Sequence, residues 1–138
     1  MFFGERQLEY SVNSNGLVQL WPSLTGMPSA SLDNTAIPNA GGPNRFIAAF
    51  WDDLFPEMGS QALTRTLGTA PNRRFVVQWT NFSNYNDRMA RMTFQAKLFE
   101  TTNVIELHYC AITPSAMPPL ATGSSATIRI ENPHGTRG

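Results

Sequence analysis

Along most of this chain apolar and polar residues alternate singly, which places successive side chains on opposite faces of an extended strand. Phe75, Val77 and Trp79 share one face of a segment whose other face carries Val76, Gln78 and Thr80. Met92, Phe94, Ala96 and Leu98 alternate with Thr93, Gln95, Lys97 and Phe99, and Ile105, Leu107 and Tyr109 alternate with Glu106, His108 and Cys110. Leu8, Tyr10 and Val12, then Val18 and Leu20, flank Asn15-Gly16, a pair suited to the positive φ angles of a tight type I′ hairpin turn. Ala126, Ile128 and Ile130 form a last alternating strand. Residues 46–51 depart from the alternation: their nearly unbroken apolar run predicts a central strand covered on both faces, ended by Asp52-Asp53.

Between these segments lie turn signals. Residues 22–44 are crowded with Pro, Gly, Ser and Asn and read as a long surface connection that is also a candidate binding loop. Residues 62–67 form a more polar strand, 68–72 a turn, 81–88 a polar turn-rich stretch, and 101–103 a short hairpin loop. Only residues 86–92 tolerate a helix, and they are too few to form one without tertiary support. The pattern predicts an all-β antiparallel sandwich, jelly-roll-like, of about eight strands, forming a single domain over residues 1–138.

Composition narrows the function. Ten basic and ten acidic residues cancel, leaving no electrostatic footprint for nucleic acid or for an anionic membrane. No apolar run approaches the roughly 20 residues that span a bilayer, which argues against membrane insertion. The opening Met1-Phe2-Phe3-Gly4-Glu5 lacks the basic start and apolar stretch of an export signal, so a secreted protein would carry that signal upstream. Cys110 is the single cysteine and can pair only outside this segment.

The sequence offers three sets of candidate chemistry. Asp52, Asp53 and Glu57 place three carboxylates within six positions, hard oxygen donors suited to calcium, although an Asp pair after a strand also serves to accept backbone N–H groups of a turn. Trp21, Phe82 and Tyr85 lie in turn-rich surroundings and are candidate stacking platforms for a sugar ring, whereas Trp51 and Trp79 alternate with core aliphatics. Glu106, His108 and Cys110 share a strand face, but a catalytic Cys-His pair needs an orienting third group from another element. His134 sits in a turn with too few partners for zinc. Nucleophile elbows, phosphate loops and zinc-protease motifs are absent, and the chain reads as no enzyme, with no cofactor beyond calcium.

Phe3-Gly4, Tyr10, Val12 and Asn15-Gly16-Leu17-Val18, then Ile47-Ala48-Ala49-Phe50-Trp51-Asp52-Asp53-Leu54, then Ala70-Pro71-Asn72-Arg73-Arg74-Phe75-Val76-Val77-Gln78-Trp79, resemble in order the motifs of a bacterial extracellular β-sandwich accessory domain of large secreted proteins. Ile130-Glu131-Asn132 and Gly135-Thr136 continue the likeness, while Ala49 and Arg129 depart from its usual proline and glycine. The Phe50-Trp51-Asp52-Asp53 strand also resembles nidogen-like extracellular domains. The resemblance implies a non-catalytic structural or adhesive module of a secreted or cell-surface protein, part of a longer polypeptide. Its partners would be proteins or glycans at the cell surface, or other domains of the same chain. The alternatives are a carbohydrate-binding module and a subunit that self-associates through unpaired sheet edges.

Overall fold

The computed structural model describes residues 1–24, 26, 34–113, 115 and 120–138. Parts of the two Pro-rich connections, and with them part of the candidate loop over 22–44, lie outside the described residues. Among the described residues, eight strands form two four-stranded antiparallel sheets. The first has the order β1 (Glu9–Val12), β2 (Leu17–Trp21), β3 (Phe46–Trp51), β8 (Thr127–Glu131). The second is a meander of β4 (Leu54–Leu67), β5 (Arg74–Asn84), β6 (Asp87–Phe99) and β7 (Ile105–Thr113). The sandwich and strand number match the alternation pattern. The connectivity is simpler than that of a jelly roll, because the chain passes between sheets only after β3 and after β7.

All six residues of β3 are buried, on two faces of one sheet. Ile47, Ala49 and Phe50 join the core between the sheets with Val18, Leu20, Val77, Trp79, Met92, Phe94 and Ala96. Phe46, Ala48 and Trp51 belong to a second apolar cluster with Leu17 and Ile37. Strict alternation would send Ala49 and Phe50 to opposite faces. They share one because β3 carries an extra residue: Ala48 pairs with Arg129 but Trp51 with Thr127, a β-bulge. Ala49 continues the β2–β3 register through its N–H but turns its carbonyl out of the ladder. Its N–H donates to the Gly16 carbonyl at 2.9 Å, and its carbonyl accepts the Tyr109 hydroxyl at 2.8 Å.

Gly16 therefore does more than turn the chain. It sits at φ +79°, and a Cβ there would lie 2.3 Å from the Phe50 carbonyl oxygen. Asn15 does not share the positive φ that a type I′ turn requires at both central residues. The β1–β2 connection is instead a wider loop in which the Asn13 side chain accepts the Leu17 N–H at 3.0 Å. The Trp79 indole N–H donates to the Asn13 carbonyl at 2.8 Å and anchors that loop to the second sheet.

The second sheet follows the expected alternation from Arg74 to Trp79 and then breaks it. Trp79 pairs with Phe94 and Phe82 with Met92, so β5 gains a residue at Asn81, which takes φ +61°. Opposite it, β4 accommodates extra residues between Pro56 and Gln61, with Gly59 at φ +85°. The Ser60 hydroxyl ties the two bulges, accepting from the Glu57 N–H at 2.8 Å and donating to the Asn81 carbonyl at 2.6 Å. These bulges let strands run on through 81–84 and 54–61, where turns and an unassigned stretch were expected, and residues 87–92 are strand, not helix. The only helical turn among the described residues is Leu120–Thr122.

Tyrosines stitch both margins of the sandwich. Tyr10, on edge strand β1, packs on Phe75 at 4.6 Å between ring centroids and its hydroxyl meets Thr64 Oγ1 at 3.1 Å. Tyr109, on edge strand β7, reaches the β3 bulge, and burial raises its pKa above the ordinary phenol value. Leu8 and Tyr10, expected on the core face, stay about half exposed because β1 is a short edge strand.

Gly16→Ala combines a positive φ with a backbone collision and should destabilise the chain by upwards of ~2 kcal/mol. Gly4→Ala, at φ +83° with nothing within 4 Å of the added Cβ, carries only the conformational cost of about 1 kcal/mol. Denaturant unfolding of both variants separates the two contributions, and equal losses would show that the Phe50 contact is not limiting.

Candidate interaction surface

Tyr85 lies at the tip of the β5–β6 hairpin, 56% exposed, with its N–H bonded to the Asp53 carbonyl at 2.8 Å. That bond fixes the tip beside the β3–β4 corner. Tyr85 and Phe55 stand 6.2 Å apart between ring centroids, and the Arg88 guanidinium lies over the Phe55 ring at 3.4 Å. Arg88 Nε donates to Glu57 Oε1 at 2.5 Å, and the Ser83 hydroxyl donates to the same oxygen at 2.9 Å. These bonds from Arg88 and Ser83 hold the Glu57 carboxyl down at about 2. Met58 on the β4 bulge is 99% exposed and Met89 on β6 is 78% exposed. This end of the second sheet thus combines two aromatic rings, a stacked cation and exposed thioethers.

The other residues expected at a site go elsewhere. Phe82 is 3% exposed and faces the core, because the Asn81 bulge returns it to the face that Trp79 occupies, so it offers no stacking platform. Trp21 ends β2, paired with Glu9, at the end of the sandwich opposite Tyr85, and its ring lies against Gly26. Of the three aromatic candidates, only Tyr85 stands on this surface.

The three carboxylates do not converge. Asp52 accepts the Ser125 hydroxyl at 2.6 Å and the Asp53 N–H at 2.9 Å, while Glu57 turns to Arg88 and Ser83. Two hydrogen-bond demands pull neighbouring side chains toward different strands, and among the described residues no three His, Cys, Asp or Glu side chains gather as a metal would require. His108 Nε2 meets Glu106 at 2.9 Å on the exposed face of β7, and Cys110 is exposed beside them; among the described residues no side chain of another strand hydrogen-bonds to His108 or Cys110. Phe55 and Arg88 had no signal in the sequence, since the bulge that aligns them is set by pairing between strands.

At the opposite end, Arg73 clasps Glu100 in a two-pronged ion pair, Nε to Oε2 at 2.9 Å and Nη2 to Oε1 at 2.5 Å, and lowers that carboxyl to about 2 as well. Both carboxylates have folded pKa values below their unfolded value of 4.5. Their stabilising contributions are complete above pH 4.5 and are lost as pH falls toward about 2. The unfolding midpoint should therefore fall across that window, and the Glu57→Gln, Glu100→Gln double variant should show a flatter profile. An unchanged slope would show that the two pairs are too solvated to matter.

No curated protein and no solved structure matches this chain significantly. The family model described as NIDO related matches residues 1–137, nearly the whole chain. A sandwich whose bulged Phe-Trp-Asp-Asp strand runs through its centre is accordingly a member of the NIDO-related family.

Proposed function

We propose that the chain is a non-catalytic extracellular module that recognises a protein partner at a cell surface or within its own polypeptide, as the bacterial accessory-domain motifs imply. Membership in the NIDO-related family supports this reading. The observation that carries it is the contrast between two kinds of side chain. Asp52, Glu57, Asp87 and Glu100 are all committed to internal hydrogen bonds. The accessible chemistry at the β5–β6 end is instead aromatic, thioether and guanidinium: Tyr85, Phe55, Met58, Met89 and Arg88. Aromatic, thioether and guanidinium groups of this kind supply contact area and charge-assisted pairing at protein interfaces.

A glycan is the second reading, favoured by Tyr85 alone, whose exposed ring face suits the apolar C–H patch of a sugar. Biolayer interferometry of the chain against a panel of extracellular-matrix proteins and soluble polysaccharides tests both. A protein ligand whose affinity drops by about tenfold or more in Tyr85→Ala, equivalent to roughly 1.4 kcal/mol, with an unchanged unfolding midpoint, is the expected result. A polysaccharide with the same dependence selects the second reading. Turnover of a peptide, ester or glycoside that His108→Ala abolishes would end both.

A further inference from the structure

A sheet edge presents unpaired N–H and C=O groups, and native sandwiches shorten, bulge or cover such edges. Three of the four edges here are managed in that way. β1 and β8 have only four and five residues. The Glu9 carboxylate on β1 accepts the Gly26 N–H, and from β8 the Thr127 hydroxyl and the Arg129 guanidinium donate to the Thr35 and Ile37 carbonyls. β7 is interrupted by a bulge at Cys110, beside which Tyr109 reaches to the other sheet. β4 is different. From Gln61 to Leu67 it pairs in regular register with β5 alone, and among the described residues no backbone group of this stretch is hydrogen-bonded outside that ladder.

The ladder fixes which groups are free. The Glu100 N–H donates to the Arg73 carbonyl at 2.8 Å, so Arg74 and Phe99 face each other as a non-hydrogen-bonded pair, and Arg74 directs its own N–H and C=O to Leu67 on β4. By the alternation of an antiparallel ladder, Gln61, Leu63, Arg65 and Leu67 direct their backbone groups to β5, while those of Ala62, Thr64 and Thr66 point outward. The side chains along this margin are apolar and accessible. Leu63 is exposed on the outer face, and Tyr10, whose hydroxyl meets Thr64 Oγ1, is exposed together with Leu8 just before β1. Arg65 is the only charged residue between Gln61 and Leu67.

We infer that β4 pairs with β4 of a second copy of this chain about a two-fold axis at Thr64, joining two four-stranded sheets into one. The dyad matches what each edge presents. Thr64 faces Thr64, and Ala62 faces Thr66 on either side, so the three free N–H and three free C=O groups of each copy meet in six hydrogen bonds with none left over. An unrelated strand would have to bring a free edge of this length and phase, whereas a second copy necessarily does. Between the hydrogen-bonded positions, Leu63 lies opposite the second copy's Arg65 on the outer face, against the aliphatic stem of that side chain. The margins that carry Tyr10 and Leu8 approach one another beneath. The bulge between Pro56 and Gln61 ends the paired stretch, so the inference is independent of the Tyr85 surface beyond it. An interface built on one strand pair is small, which makes the association weak and concentration-dependent.

Sedimentation equilibrium of the full chain from about 1 μM to about 1 mM, the span of weak association, should show monomer passing to dimer. Hydrogen exchange of the unmodified chain reads the register without any variant. Raising the concentration should slow exchange of the Ala62, Thr64 and Thr66 amides, while those of Leu63 and Arg65, already bonded to β5, keep their rates. Leu63→Lys sets like charges opposite each other and should weaken dimerisation about tenfold, whereas Leu63→Glu, facing the second copy's Arg65, should strengthen it severalfold. Both replace an exposed side chain, so the unfolding midpoint of the dilute monomer should not change. A monomer at every concentration would overturn the inference. So would a dimer that also protects β7 amides, the mark of head-to-tail pairing, or one that protects only the segment around Tyr85. Equal effects of the two Leu63 substitutions would overturn the axis at Thr64.

Discussion

The β-bulge at Ala49-Phe50 is the constraint on which the rest of the sandwich depends. One extra residue in the central strand sends Ala49 and Phe50 together into the core and returns Trp51 to the outer cluster. It also turns the Ala49 carbonyl out of the ladder in a buried place, where an unmade hydrogen bond costs about 1–3 kcal/mol. The N–H is met by the β1–β2 loop and the carbonyl by Tyr109 on the far edge of the other sheet. A local irregularity in one strand thereby fixes a loop, an edge strand and the spacing of two layers. Only glycine fits at position 16 because that loop must come within contact of the bulge.

Alternation made the fold class legible, because a half-buried strand exposes its period of two wherever the ladder is regular. The segments around Val77, Phe94 and Leu107 were readable for that reason, and the unbroken run at 46–51 gave the doubly covered strand. Bulges hide the rest. Asn81 inverts parity, so Phe82 seemed to belong to a polar turn when it belongs to the core. The extra residues between Pro56 and Gln61 likewise erase the period of β4, whose first half went unassigned. Asx-type and serine side chains at these places hydrogen-bond to backbone, as in turns, while the ladder continues past them.

The candidate site was less legible than the fold, for a related reason. Proximity along the chain suggested that Asp52, Asp53 and Glu57 act together, but Asp52 and Glu57 are claimed by different neighbours. Glu57 belongs with Arg88 and Asp52 with Ser125, pairings that span 31 and 73 positions. Glu131 is legible only as part of the Ile-Glu-Asn motif, since nothing in that motif discloses that the Asn39 N–H and the Asn44 amide meet its buried carboxylate.

Exposed and buried carboxylates of the sandwich respond to pH in opposite directions. Glu57 and Glu100 are held ionised by arginines, so their charged forms favour folding above pH 4.5. Glu131 is displaced in the other direction: its ionised form disfavours folding above its raised folded pKa, and that cost disappears as pH falls through that value toward 4.5. A surface ion pair tolerates solvent and contributes modestly, whereas a buried carboxylate must be met by hydrogen bonds or by protonation. The Asn39 N–H, donating to Glu131 Oε1 at 2.6 Å, meets part of that demand, and the Asn44 amide, with its nitrogen toward Oε2 at 3.0 Å, meets more. The aromatic and guanidinium cluster near Tyr85 lies at the other end of the strands, so a change in the ionisation of Glu131 alters the packing around residues 39–44 and leaves the Tyr85 surface as it is.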